Sequence, residues 1–261
     1  MLRTVTVGLD GSPEGLAAAE WAAGEAESLG LPLTLVQAWE PTLEPPTEDT
    51  AEVSQEAAAG LRQRHPGVEV TGLLVPGPPV DVLCRAGRGA ELLVLGSRGL
   101  GGTAGFTPGS VGLRVVALAE RPVVFVRARR HKARRPVVLG LDTDHPDGTL
   151  IGFAFDAAAR RATPLRVLHA WNPSPSGPPH DPAETLADVV RPWRRKFPDV
   201  EVVEEPRYGG AAAHLVGAAR VASLVVVGRL GRRSPFGTHV GHVTHAVLHH
   251  SPAPVAVVSH G

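Results

Sequence analysis

Residues 4–12 read Thr-Val-Thr-Val-Gly-Leu-Asp-Gly-Ser and residues 136–144 read Pro-Val-Val-Leu-Gly-Leu-Asp-Thr-Asp, so Gly8-Leu9-Asp10 returns as Gly140-Leu141-Asp142 after 132 positions. The same offset pairs Ala38-Trp39 with Ala170-Trp171, Pro66 with Pro198 and Pro122 with Pro254. It also pairs Gly96, Gly99 and Gly109 with Gly228, Gly231 and Gly241. The register slips by one after the first strand, where Pro13-Glu14-Gly15 meets Pro146-Asp147-Gly148, and recovers before Pro32 and Pro164, as a compensated loop insertion would. A fixed offset of this kind marks the unit of folding. Two domains are expected, 1–128 and 136–261, joined by a basic seam from Arg127 to Pro136 that has no apolar period and reads as a solvated linker.

Within each half, short β-branched runs alternate with Ala-rich stretches, the pattern of βαβ units and a parallel sheet. The expected strands of the first half are Thr4 to Leu9, Leu33 to Ala38, Glu69 to Leu74, Leu92 to Leu95 and Val123 to Val126. Their counterparts begin near Val137, Leu165, Glu201, Leu224 and Val255. Helices are expected between them, among them Glu14 to Leu29, Val80 to Arg88 and Val111 to Leu118. Two Pro-rich acidic stretches, Glu40 to Asp49 and Asn172 to Glu184, read as flexible loops beside a ligand cleft.

The chain has 261 residues, 43% apolar and 20% charged, which fits globular domains and excludes wholesale disorder. Its 26 basic and 26 acidic side chains cancel, which argues against a general nucleic-acid or membrane-surface protein and for a small partner. The single Cys84 allows no intramolecular disulfide, and neither a signal-like stretch nor a membrane-length apolar run is seen, so the cytoplasm is the expected location.

Open parallel sheets take ligands beyond the carboxyl ends of their strands, where strand order reverses. There the first half carries Asp10-Gly11-Ser12, Ala38-Trp39 and the run Gly96-Ser97-Arg98-Gly99, followed nine residues on by Gly109-Ser110 at the head of a helix. A glycine-rich loop can turn its N–H groups toward an anion, and the helix N-terminus adds partial positive charge, so phosphate is the natural guest. A P-loop is excluded, because neither loop contains a lysine; the only lysines are Lys132 and Lys196. Gly99 to Ala104 also fits a dinucleotide fingerprint, but it follows a late strand and Glu120 precedes the next one instead of ending it. His239, His242, His245 and His249 include three on one helical face, yet no nearby carboxylate or cysteine completes a set, and no metal site is expected.

The spacing Gly96-x2-Gly99-x9-Gly109-Ser110, with Asp10 and the terminal Pro122-Val-Val-Phe-Val strand, resembles the universal stress protein family in its tandem, ATP-binding form. The resemblance implies an α/β fold of two tandem open parallel five-stranded sheets, each in the order 3-2-1-4-5 and flanked by helices. It implies ATP as the ligand, with or without Mg2+, and homodimers that associate through the last strand, here Val123 to Val126 and Val255 to Val258. Carried over residue by residue, Gly8 and Asp10 lie near the adenosine and the Ala38 backbone bonds the adenine. Gly96, Gly99 and Gly109 let the backbone approach ribose and phosphates, with Ser97 and Arg98 between the first two, while Ser110 and the Val111 N–H hold phosphate oxygens.

The second half keeps Gly140, Asp142, Ala170, Gly228, Arg229, Gly231, Gly241 and Val243, but His242 stands at the serine position and Thr143-Asp144 replaces Gly11-Ser12. Asp144 disfavours a triphosphate, whereas His242 is able to donate to one. Three functions follow: a nucleotide-binding stress regulator, a slow ATPase or phosphotransferase, or a scaffold with vestigial clefts. The absence of a loop lysine and of an evident base favours the regulator over the enzyme.

Overall fold

Alternation in Thr4–Leu9 (β1) buries Val5, Val7 and Leu9, and strands of this kind recur between helices through the whole chain. The computed structural model describes residues 3–40, 48–97, 110–127, 135–172, 181–230 and 240–260, with 48–53 described by backbone alone. The chain divides into two units, Met1–Arg129 and Arg130–Gly261.

In the first unit β1 is followed by Pro13–Leu29 (α1), Leu33–Trp39 (β2), Glu48–Arg64 (α2) and Val70–Pro76 (β3), then by Pro79–Arg88 (α3), Ala90–Gly96 (β4), Ser110–Leu118 (α4) and Val123–Val126 (β5). Its strands lie in the order β3-β2-β1-β4-β5, as expected, and β1 pairs in parallel with both β2 and β4. The chain runs outward from β1 to β3 and then returns to β4 on the other side, so the reversal falls between β1 and β4.

The second unit repeats this with Val137–Gly140 (β6), Gly148–Arg161 (α5), Leu165–Trp171 (β7), Pro182–Lys196 (α6), Val202–Tyr208 (β8), Ala211–Ala219 (α7), Leu224–Leu230 (β9), His242–His250 (α8) and Val255–His260 (β10). Its strand order is β8-β7-β6-β9-β10, all parallel where paired within the unit. Phe155 of α5 stacks with Trp193 of α6 and tilts against Phe197, with ring centroids 6.0 and 5.4 Å away, which fixes α6 over the core.

Two expected loops need correction at their ends. Glu48 and Asp49 already belong to α2, and Pro182 to Glu184 open α6, where Asp181 caps the helix by accepting from the Ala183 N–H at 2.8 Å. A Pro after an Asp is a helix start as readily as a loop, because proline at the first helical position loses no hydrogen bond. Residues 41–47 and 173–180 of those stretches lie outside the described residues.

Helix ends show how closely the halves match. Ser12 caps α1 by accepting from the Gly15 N–H at 3.1 Å, and Asp147 caps α5 through Thr149 and Leu150. At the other ends Gly30 (φ 64°) closes α1 and Ala162 (φ 46°) closes α5, both in the left-handed conformation.

Candidate functional site

The carboxyl ends of β1, β2 and β4 meet the first turn of α4 around a cavity of about 390 Å3, floored on one side by Pro79 and Leu83 of α3. Gly8, Asp10, Ala38, Gly96, Ser110 and Val111, all expected at the ligand, line it. Gly8 must be small: a Cβ there would lie 2.7 Å from Leu95 Cδ2 and 2.8 Å from Leu83 Cδ2, so a larger residue would displace the apolar floor. Asp10 is held by its own loop, its Oδ1 accepting from the Ser12 N–H at 3.1 Å and from the Ser12 hydroxyl. Ser12 thereby links the carboxylate to the cap of α1.

Gly96 has a reason that the motif does not reveal. A Cβ on it would come within 2.6 Å of the Glu14 carbonyl carbon and 2.7 Å of the Gly15 nitrogen, both backbone atoms of α1's first turn. Its lack of a side chain therefore seats α1 on β4. Gly228 in the second unit faces a softer neighbour, since a Cβ there would meet the His260 imidazole, with Cδ2 at 2.6 Å, and Leu150 Cδ2 at 3.2 Å.

The second unit has an equivalent cavity of about 650 Å3. Gly140, Asp142, Ala170, Gly228, Gly241, His242 and Val243 line it, and His145 and His260 join them. Asp142 accepts from the Asp144 N–H at 3.0 Å and pairs with His145 Nδ1 at 3.2 Å. Thr244 donates its hydroxyl to the Gly228 carbonyl at 2.8 Å and so ties the first turn of α8 to the end of β9.

Two expected residues are placed elsewhere. Ser97 is 1% exposed and does not line the first cavity, and Arg229 is buried with Nη2 donating to Ser259 Oγ at 2.8 Å. Burial pushes the Arg229 guanidinium below its ordinary value. Each is bonded to the last strand of its unit, Ser97 through its N–H to the Val126 carbonyl at 2.8 Å and Arg229 through its side chain to Ser259. Arg98, Gly99, Gly109 and Gly231 lie outside the described residues, as does His239. The His245 and His249 rings tilt against each other with centroids 4.2 Å apart, and among the described residues no group of three or more His, Cys, Asp or Glu is arranged to hold a metal.

One polar residue lining the first cavity was not expected. Gln37 of β2 is 8% exposed, lines the first cavity beside Ala38, and has an Oε1 with no hydrogen-bond partner among the described residues. A glutamine inside Leu33-Thr-Leu-Val-Gln-Ala-Trp39 is a visible break in an apolar run, and that break was the available signal.

Fold and site together define a tandem repeat of open α/β units, each with a ligand-sized cavity at the switch point of its strands. The sequence profile of the universal stress protein family matches residues 1–127 and 133–259, and the chain belongs to that family. A universal stress protein of Mycobacterium tuberculosis is 32% identical over 299 aligned positions, covering 97% of this chain and 94% of the relative. One from Mycolicibacterium smegmatis is 30% identical over 282 positions, covering 97% and 96%. The crystal structure of a universal stress protein from Archaeoglobus fulgidus matches the fold with a TM-score of 0.73 at 18% identity, covering 98% of each chain. Among the described residues no helix is long and apolar enough to cross a membrane.

Proposed function

We propose that the first unit is a binding site for an adenine nucleotide, ATP, and that the protein acts in the stress response as a nucleotide-dependent regulator. The carrying observation is the cavity in which the ends of β1, β2 and β4 face the start of α4 at Ser110 and Val111. The first turn of a helix has N–H groups with no intrahelical partner and about half a positive charge, and Ser110 adds a hydroxyl, which together suit phosphate. The volume falls within the range of small-molecule sites, roughly 300–1,000 Å3. On this reading the base and ribose lie toward Gly8, Asp10 and Ala38, and the phosphates toward Ser110 and the loop carrying Gly99 and Gly109.

Mg2+, where it takes part, would arrive on the nucleotide's phosphates, as this ion commonly does. Phosphoryl transfer needs groups that stabilise the moving phosphoryl and orient its attacker. Arg98 and Ser110 alone, without lysine or base, suit retention of the nucleotide better than its turnover. Association as a homodimer belongs to the same reading and is read by sedimentation of the full chain.

Isothermal titration of the full chain with ATP tests the site. Gly109→Asp and Asp10→Ala should each weaken binding by about 10–100-fold, the size of a lost charge-assisted contact, with unchanged circular dichroism. ATP affinity left unchanged by both variants removes the proposed site.

A further inference from the structure

The two cavities share a cradle and differ in one wall. Gly140, Asp142 and Ala170 line the second as Gly8, Asp10 and Ala38 line the first. In the first unit β3 leads into α3 through Gly77-Pro78-Pro79, and Pro79 lines the cavity. At the same place in the second unit β8 leads into α7 through Gly209-Gly210-Ala211, all of which line the cavity. Two proline rings have thus given way to a hydrogen and a methyl group, and a Cβ on Gly210 would meet no atom within 4 Å.

The floor differs in the same sense. Gly8 and Leu95 are register partners, so the leucine projects from the same face of the sheet as a Cβ on Gly8 would. That Cβ would lie 2.7 Å from Leu95 Cδ2 and 2.8 Å from Leu83 Cδ2, so both leucines close over the glycine. Over Gly140 the three nearest atoms all belong to Leu215, the counterpart of Leu83. Val227 stands where Leu95 does and is one carbon shorter, although Leu168 in place of Val36 returns a carbon nearby. The second cavity measures about 650 Å3 against 390 Å3, even though His242 and Thr244 of α8 are larger than Ser110 and Gly112 of α4. Room is therefore gained away from the start of α8, and Ala211, Leu215 and Val227 make that part of the wall apolar. With a nucleotide placed as proposed, the phosphates face α8 and the base lies at this opposite end. An apolar recess left unfilled forfeits the contacts of its lining atoms, and hydrocarbon is what restores them.

We infer that the two units select different nucleotides: the first takes unmodified adenine, and the second takes an adenine nucleotide carrying a short alkyl group on its base, at N6 or C2, seated against Ala211, Leu215 and Val227. The inference rests on the proposed nucleotide site and adds the residues that set the size of the base each unit accepts.

The test is calorimetric titration of the full chain with ATP, N6-propyl-ATP and 2-propylthio-ATP. Gly109→Asp isolates the second site and Gly241→Asp the first; a Cβ on Gly241 would meet nothing within 4 Å, so that change fits the fold. At the second site at least one alkylated ligand should bind about 10-fold more tightly than ATP, and at the first both should bind about 10-fold more weakly, the range for a methylene or two in an apolar pocket. Val227→Leu should remove the second-site preference. So should Gly210→Pro with Ala211→Pro, which copies residues 77–79. Gly210 has φ −75° and ψ 124°, a backbone that suits both proline and the residue before one, and Ala211 opens α7, where proline is well accepted. Leu95→Val should relax the rejection at the first site. Circular dichroism and the unfolding midpoint without ligand establish that each variant is folded.

Replacing prolines also restores two N–H groups, which would serve an acceptor, so N6-carboxymethyl-ATP and 2-carboxymethylthio-ATP are titrated alongside. A carboxylate ligand that binds the second site more tightly than both alkylated ones overturns the inference. Alkylated ligands that bind there no more tightly than ATP, or a preference that survives both Val227→Leu and the double proline variant, overturn it as well. In each of these cases ATP binding at the first site leaves the nucleotide reading standing, whereas a chain that binds none of the ligands at either site overturns both.

Discussion

Gly96→Ala puts a methyl group 2.6 Å from the Glu14 carbonyl carbon, 2.7 Å from the Gly15 nitrogen and 2.8 Å from the Glu14 oxygen. Ordinary contact begins at 3.4 Å, so α1 would have to withdraw from β4 by 3.4 − 2.6, or 0.8 Å. It has little freedom to do so. Its first turn is held by Ser12, whose Oγ accepts from Gly15 at 3.1 Å and whose carbonyl accepts from Leu16 at 3.0 Å. Ala18, Ala19, Ala22, Ala23 and Ala26 along its inner face are at most 1% exposed, so withdrawal opens the seam along the whole helix. Overpacking of this kind costs about 1–3 kcal/mol, and the entropy gained by replacing glycine returns about 0.4–1 kcal/mol. A net loss of about 1–2 kcal/mol should lower the midpoint of the first unit by roughly 3–10 °C.

Gly228→Ala makes the same chemical change against the His260 imidazole and Leu150, side chains that turn aside more readily than backbone. Its cost should stay below about 1 kcal/mol, nearly offset by the entropy term. Differential scanning calorimetry without nucleotide compares the two variants. Equal shifts would refute the packing argument. So would an unchanged midpoint for Gly96→Ala accompanied by lost ATP binding, because the glycine would then serve the ligand and not the helix.

Three further outcomes are expected. Arg166 hydrogen-bonds Glu205 and, helped by Arg207 and against the opposing effect of burial, holds its carboxyl below the ordinary value. A depressed folded-state pKa contributes stability above the unfolded value that is lost as pH falls through the folded one, so Glu205→Gln should cost the second unit about 1–3 kcal/mol at neutral pH. Urea midpoints of the two proteins should converge below about pH 4, and parallel pH profiles would contradict this. The Ser110 site should bind ATP more tightly than the His242 site at neutral pH, and His242→Ser combined with Asp144→Ser should narrow the gap in calorimetric titration; equal sites in the wild type would show that these residues set no asymmetry. Any ATP hydrolysis should be slower than about 1 per second, the lower end for kinases, and single-turnover assays at or above that rate would favour the enzyme.

The 132-residue repeat made strand order and cavity position legible, because glycine and proline punctuation survives wherever the backbone demands it. Helix starts were harder, since Asp181-Pro182 carries the same residue types whether a loop continues or a helix begins. Ser97 and Arg229 were assigned by proximity to a motif glycine, whereas their bonds to Val126 and Ser259 join positions far apart in sequence. The partner of Gly96 could not be read, because contact with Glu14 and Gly15 joins positions far apart in sequence. Gln37 was overlooked for a related reason: its burial and its unpartnered Oε1 are properties of three-dimensional neighbours.

Ala162 shows what duplication permits. It holds a left-handed helix end at φ 46° where its counterpart in the other half is a glycine at φ 64°. For an L-residue that conformation costs about 1–2 kcal/mol, yet the turn keeps its shape, with the Ala162 N–H still reaching the Ala158 and Ala159 carbonyls. The local geometry has outlasted the residue type that makes it easy, because the surrounding helix and strand impose it from both sides. Ala162→Gly should therefore raise the melting temperature of the second unit by a few degrees, whereas Gly30→Ala should lower that of the first. At this pair of positions one half of the chain thus serves as a guide to repairing the other.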